Sequence, residues 1–181
     1  MNNKYTLVKT DTTLSRDGRT LFRLRARVNF GAVVKGELGG YVESENNVEV
    51  SGNAWVSGDT QVYGNARVSG DARVSGNARV SGDAQVSGNA WVYGDAQVYG
   101  NAQVSGNAWV YGNADLLVIT PIGSRKATAT FTKSDQSVAT GCFRGTIGAF
   151  AKAVVKTHGD NRHAKAYLAA IELAKIIFGL A

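Results

Sequence analysis

A valine stands at every sixth position from Val50 to Val110, eleven in succession without an insertion. Glycine follows two places after each valine, asparagine or aspartate three places after, and alanine four places after, with Thr60 in one alanine position. A unit of six residues, V-x-G-N/D-A-x, is too short to bury a face alone, so it has to stack on its own copies. Valine and alanine supply a narrow apolar core. The Gly-Asn or Gly-Asp pair makes the bend, because these residues tolerate unusual backbone angles. Three such sides close a coil of 18 residues, and successive coils lie at the strand spacing, about 4.8 Å. The periodicity predicts a stacked β solenoid.

Steps of eighteen sort the sequence into faces. At the bend the stacks read Asn53-Asp71-Asn89-Asn107, Asp59-Asn77-Asp95-Asn113 and Asn65-Asp83-Asn101. No aspartate falls over another, so an asparagine amide can donate to a neighbouring carboxylate. The residue before each valine gives one face of Trp55, Arg73, Trp91 and Trp109, a second of Gln61, Arg79, Gln97 and Asp115, and a third of Glu49, Arg67, Gln85 and Gln103. The residue after each valine adds Ser57, Ser75, Tyr93 and Tyr111 to the tryptophan face and only serines to the third. All three tryptophans of the chain thus share one face, with Arg73 between two of them and suited to cation–π contact. Arg67, Arg73 and Arg79 occupy a single coil, one per face. An outward cluster of Trp91, Tyr93, Trp109 and Tyr111 has two readings: self-association, or a stacking platform for a base or sugar. The two coexist where a pocket forms between subunits.

The repeat, V-x-G-N/D-A-x over Val50–Ala114, resembles the hexapeptide repeat of left-handed parallel β-helix proteins. That resemblance implies a mainly β fold whose solenoid is left-handed, triangular and about four coils long, and a homo-oligomer, usually a trimer. Residues 19–56, through Arg19-Thr20-Leu21-Phe22, Val34-Lys35-Gly36, Leu38-Gly39-Gly40-Tyr41-Val42-Glu43-Ser44-Glu45 and Gly52-Asn53-Ala54-Trp55-Val56, look like the N-terminal cap of bacterial and bacteriophage members of that group. Such proteins are often described as acyltransferases or polymer-forming proteins. The tail, Gly141-Cys142-Phe143-Arg144-Gly145-Thr146 through His158-Gly159-Asp160-Asn161, resembles a small domain recurrent in phage-associated proteins.

The flanks divide the chain into an N-terminal β cap over 1–49, the β-helix over 50–114 and a C-terminal α+β domain over 115–181. In the cap, Ser15-Arg16-Asp17-Gly18-Arg19 holds an Asp-Gly turn. Thr20 to Phe30 alternates, with Phe22, Leu24, Ala26, Val28 and Phe30 on one side and Arg23, Arg25 and Arg27 on the other, a half-buried strand. The arginines read as protection of a sheet edge or as an anion-binding stripe. In the C-terminal domain, Asp115–Ile119, Ala127–Thr132 and Ser137–Phe143 read as strands. Ile147, Phe150, Ala151, Val154 and Val155 mark a helix from Thr146 to His158, with Gly159 as an αL stop. Asp160 or Asn161 caps a second helix, whose apolar face is Ala164, Tyr167, Leu168, Ile171, Ala174 and Phe178.

Net charge is +6, with residues 115–181 holding nine basic and four acidic side chains. That excess favours an anionic partner. One cysteine excludes an internal disulfide, and no ligand set with metal spacing appears. No apolar run approaches the roughly 18 residues of a membrane span, and no signal-peptide pattern opens the chain, so the expectation is a cytoplasmic protein without metal or cofactor. Acyltransferases of the resembled group use acetyl-CoA and a histidine base on the coil. Residues 50–114 contain no histidine, and no loop excursion builds a cleft there. Cys142, Arg144, His158, Asp160 and Asn161 form the one other constellation. It reads either as a thiol–imidazole nucleophile or as a packed cysteine beside a helix-end histidine. The functional expectation is a non-catalytic oligomeric binding protein of phage or prophage type. It engages a host protein or sequesters an anionic, nucleotide-like ligand in counter-defence. The alternatives are an acetyl-CoA-dependent acyltransferase and a structural or assembly protein.

Overall fold

The computed structural model describes residues 3–180. Strand β1 (Tyr5–Leu14) pairs antiparallel with β2 (Thr20–Ala26), and β2 with β3 (Leu38–Val42). Ten two-residue rungs follow at six-residue spacing, in three parallel stacks. The tryptophan face stacks β4 (Trp55–Val56), β7 (Arg73–Val74), β10 (Trp91–Val92) and β13 (Trp109–Val110). The second stacks β3 and then β5 (Gln61–Val62), β8 (Arg79–Val80) and β11 (Gln97–Val98). The third stacks β6 (Arg67–Val68), β9 (Gln85–Val86) and β12 (Gln103–Val104). Successive rungs of a stack pair in an 18-residue register, as the hexad predicts.

Val56 to Val110 and Ala54 to Ala108 have no exposed surface, Thr60 taking the alanine place once. Burying one valine contributes ~1.5 kcal/mol or more, so a filled column of them carries the coil. The bend ladder forms as expected. Asn53, Asn65 and Asn77 donate through Nδ2 to Asp71, Asp83 and Asp95 at 2.8, 2.9 and 3.2 Å. Asn89 donates to Asn107 Oδ1 at 3.2 Å.

The start of the coil departs from the eighteen-step expectation. Val48, not Val50, lies beside Val68, and Val50 is 46% exposed. The third stack therefore continues upward through Asn47 and Val48 rather than Glu49. Asn47 is buried and gives both amide hydrogens to the carbonyls of Gly64 and Ala66, at 3.1 and 2.9 Å. The parallel stacking itself begins upstream, because β3 already pairs with β5. Gly40 permits this: a Cβ there would stand 2.8 Å from the Thr60 carbonyl oxygen, which accepts from Tyr41 N–H.

The two ends of the coil need opposite chemistry. Each rung gives its N–H groups to carbonyls of the next coil, so the first coil is left with free carbonyls and the last with free N–H groups. Unpaired backbone groups are costly when covered. The N-terminal cap answers with donors. Lys4 Nζ reaches the carbonyls of Glu49, Gly52 and Ala54 at 3.1–3.2 Å, and Arg23 Nη1 that of Gly58 at 3.0 Å. Burial lowers the Lys4 pKa, while Glu49 and Asp71 pull it back up. The C-terminal side answers with acceptors. Asn113 Oδ1 takes Gln97 N–H at 2.9 Å, Thr130 Oγ1 takes Gln103 N–H at 3.0 Å and Ser134 Oγ takes Trp109 N–H at 2.7 Å. Asp115 does not stack on Gln97. It closes a 3-10 turn, its carboxylate accepting from Tyr111 and Gly112.

The C-terminal domain is an antiparallel sheet of β14 (Leu116–Ile122), β15 (Ala127–Thr132), β16 (Ser137–Thr140) and β17 (Phe143–Thr146), followed by α1 (Ile147–His158) and α2 (Arg162–Phe178). The expected single strand over Ser137–Phe143 is split by a turn at Gly141-Cys142. The sheet is apolar on both faces. Leu116 and Val118 pack on the coil core, while Leu117, Ile119, Ala129, Phe131 and Val138 join the helix-side core. Thr146 caps α1 and Asn161 caps α2, its Oδ1 accepting from His163 and Ala164 N–H. Gly159 stops α1 at φ 60°, ψ −119°, outside the αL region. Val155 is 54% exposed, contrary to its place on the predicted apolar face.

Candidate functional site

The tryptophan face is built by four rungs in register, which fixes where each side chain emerges. Trp91 and Trp109 stack with ring centroids 5.5 Å apart and planes 14° from parallel. Tyr93 and Tyr111 meet edge to face at 4.8 Å. The Arg73 guanidinium lies 5.7 Å from the centre of the Trp91 ring. Trp91, Trp109 and Tyr111 are 43%, 52% and 62% exposed, so the cluster is an unburied aromatic patch rather than core.

Trp55 is the correction. It holds its register position over Arg73 but is only 5% exposed. Phe30 and Tyr5 of the N-terminal cap close on its ring at 5.4 and 6.5 Å. Its Nε1–H is buried with no acceptor among the described residues. The segment that covers it also forms one wall of a cavity of about 200 Å³, lined by Val33, Glu37, Trp55, Ser57, Arg73 and Trp91 among others. Arg73 and the Trp91 ring thus stand at the junction of this cavity with the open patch.

Arg67 and Arg79 emerge on the other two faces of the same coil, Arg67 exposed and Arg79 half-buried. The Arg23/Arg25/Arg27 stripe does not form as a free surface. The strand ends at Ala26, with Leu21 buried, Phe22 half-buried and Val28 45% exposed, because the β2 register shifts against both neighbours. Arg23 is committed internally. It lies 4.6 Å from the Tyr41 ring centre and 3.6 Å from both the Asp11 and Asp59 carboxylates. Arg25 and Arg27 remain on the surface.

In the C-terminal domain, Cys142 and His158 come to one cavity of about 320 Å³. Arg144 turns away and braces the strand turn, its Nη1 donating to the Gly141 and Phe143 carbonyls, each at 2.9 Å. Asn161 is spent on the α2 cap, and Asp160 is exposed in the connection. The sequence reading missed Thr140, whose buried hydroxyl has no partner among the described residues, and Arg125, both of which line that cavity. Strand alternation carried the signal for Thr140: it shares a face with Val138.

A family model described as YdcK beta solenoid repeat matches residues 60–75, 72–86, 84–100 and 102–114. The chain is a β-solenoid repeat protein. The matched solenoid segments include Arg73, Trp91, Tyr93, Trp109 and Tyr111 and lie outside both caps. No curated protein matches the chain. No helix among the described residues is long and apolar enough to cross a membrane.

Proposed function

We propose that the solenoid is a non-catalytic binding protein that joins copies of itself through the tryptophan face and holds an anionic, nucleotide-like ligand at the Arg73–Trp91 junction. The observation that carries this reading is the outward Trp91–Trp109 stack with Arg73 against it. Contiguous aromatic surface of this kind favours association, and closed symmetric assemblies are the common outcome. A trimer is the assembly we favour. The adjoining cavity, about 200 Å³, falls short of the roughly 300 Å³ at which ligand pockets begin, so a neighbouring copy completes it. Trp91 offers a face to a base and Arg73 offers a forked donor to a phosphate.

The resemblance of the N-terminal cap to bacterial and bacteriophage proteins, and of the tail to a phage-associated domain, supports one biological context: sequestration, without turnover, of a nucleotide signal of host defence. Acyl transfer has less support, since the coil residues 50–114 contain no histidine to serve as base. The test joins light scattering to thermal shift across a panel of nucleotides and cyclic nucleotides. The expected results are a fixed mass of three 19.1 kDa chains and a melting rise with at least one ligand, abolished in Arg73→Ala. A monomer at every concentration overturns the association. A flat panel overturns the ligand. A mass growing steadily with concentration points to a polymer instead.

A further inference from the structure

We propose that the cavity between the C-terminal sheet and α1 binds a small aromatic carboxylate. Its volume, about 320 Å³, lies at the small end of ligand pockets, roughly 300–1,000 Å³, and has room for one ring with a short arm. The walls are aromatic: Phe143 and Phe150 meet at 4.9 Å, and Phe150 and Tyr167 at 5.2 Å edge to face. Rings so arranged offer a further ring faces and edges to pack beside.

Two polar features distinguish this cavity from a packing defect. Thr140 is 7% exposed and lines it, yet its hydroxyl has no partner among the described residues. A buried hydroxyl left unpaired is a cost that valine, of nearly the same shape, would avoid. Strand alternation puts Thr140 on the helix-facing side of the sheet, beside Ala129 and in line with Val138. The second feature is charge. Arg125, in the turn between β14 and β15, is exposed at the cavity and makes no hydrogen bond or ion pair among the described residues. His158 stands on the α1 side, and no carboxylate among the described residues lines the cavity. One guanidinium fork matches one carboxylate. A mostly apolar cavity with a single arginine suits a monoanion better than a phosphate dianion.

The experiment uses the full chain with phenylacetate as probe and phenylacetamide as its neutral counterpart, read by saturation-transfer NMR and calorimetry. Phenylacetate is expected to bind about tenfold more tightly than the amide, since it alone makes the charge-assisted contact. Arg125→Ala, on an exposed turn, is expected to keep the fold and erase that difference. Thr140→Val is expected to weaken phenylacetate several-fold without lowering the melting temperature. Ala153→Trp fills the cavity and is expected to abolish binding. No saturation transfer from phenylacetate at millimolar concentration overturns the proposal. So does equal affinity for acid and amide, or undiminished binding by a folded Ala153→Trp.

Discussion

Gly76→Val is expected to lower the melting temperature by roughly 10 °C, and the matched change Gly106→Val by less than half of that. Both glycines have φ +73°, so both substitutions meet the same backbone penalty. That penalty is about 1–2 kcal/mol for an ordinary L-residue and larger for a β-branched one. Their surroundings differ. A Cβ on Gly76 would stand 3.0 Å from both the N and the O of Gly94 in the next coil, whereas none of the described residues comes within 4 Å of one on Gly106. Neither contact can yield, because both are backbone atoms in a stacked bend. The defect falls mid-solenoid, where each coil is stabilised only by its neighbours. Equal losses at the two positions, measured by circular dichroism, would mean that the bends do not stack closely.

The double variant Trp91→Ala/Trp109→Ala is expected to weaken self-association by at least 100-fold, while the chain's melting temperature in dilute solution changes little. The two rings stack on each other and are about half-exposed. Within one chain they cover little else. Across an interface, a desolvated tryptophan is the commonest hot spot, at about 2 kcal/mol or more each, and 100-fold corresponds to about 2.7 kcal/mol. Trp55→Ala is expected to do the reverse. It removes a buried ring from beneath Phe30 and Tyr5, so stability falls by about 3–5 kcal/mol. Sedimentation velocity and thermal melting separate the two outcomes.

These three tryptophans also mark how far the sequence could be read. The hexad places all of them on one sheet, and the structure agrees. It cannot say that one is covered, because Tyr5 and Phe30 lie outside the repeat and reach Trp55 only through the path of the N-terminal cap. The two-residue offset at Val48 is hidden for a similar reason. Val50 keeps the period, but the coil takes Val48 because Asn47 beside it can satisfy Gly64 and Ala66 carbonyls. The asparagine–aspartate ladder was legible, since it needs only the eighteen-step register and the chemistry of an amide beside a carboxylate. The α2 cap at Asn161 was legible as well, being local. Lys4, Thr140 and Arg125 carry no periodic signal, and their roles depend on which distant carbonyls, rings and cavity walls the caps bring to them.

Hydroxyl-radical footprinting of the three tryptophans, at concentrations spanning the association, tests the interface directly. Trp55 is expected to stay protected throughout. Trp91 and Trp109 are expected to be modified readily in dilute solution and to become protected together as the oligomer forms. Modification of Trp91 and Trp109 that is independent of concentration, in samples where light scattering reports an oligomer, would place the interface elsewhere and contradict the account.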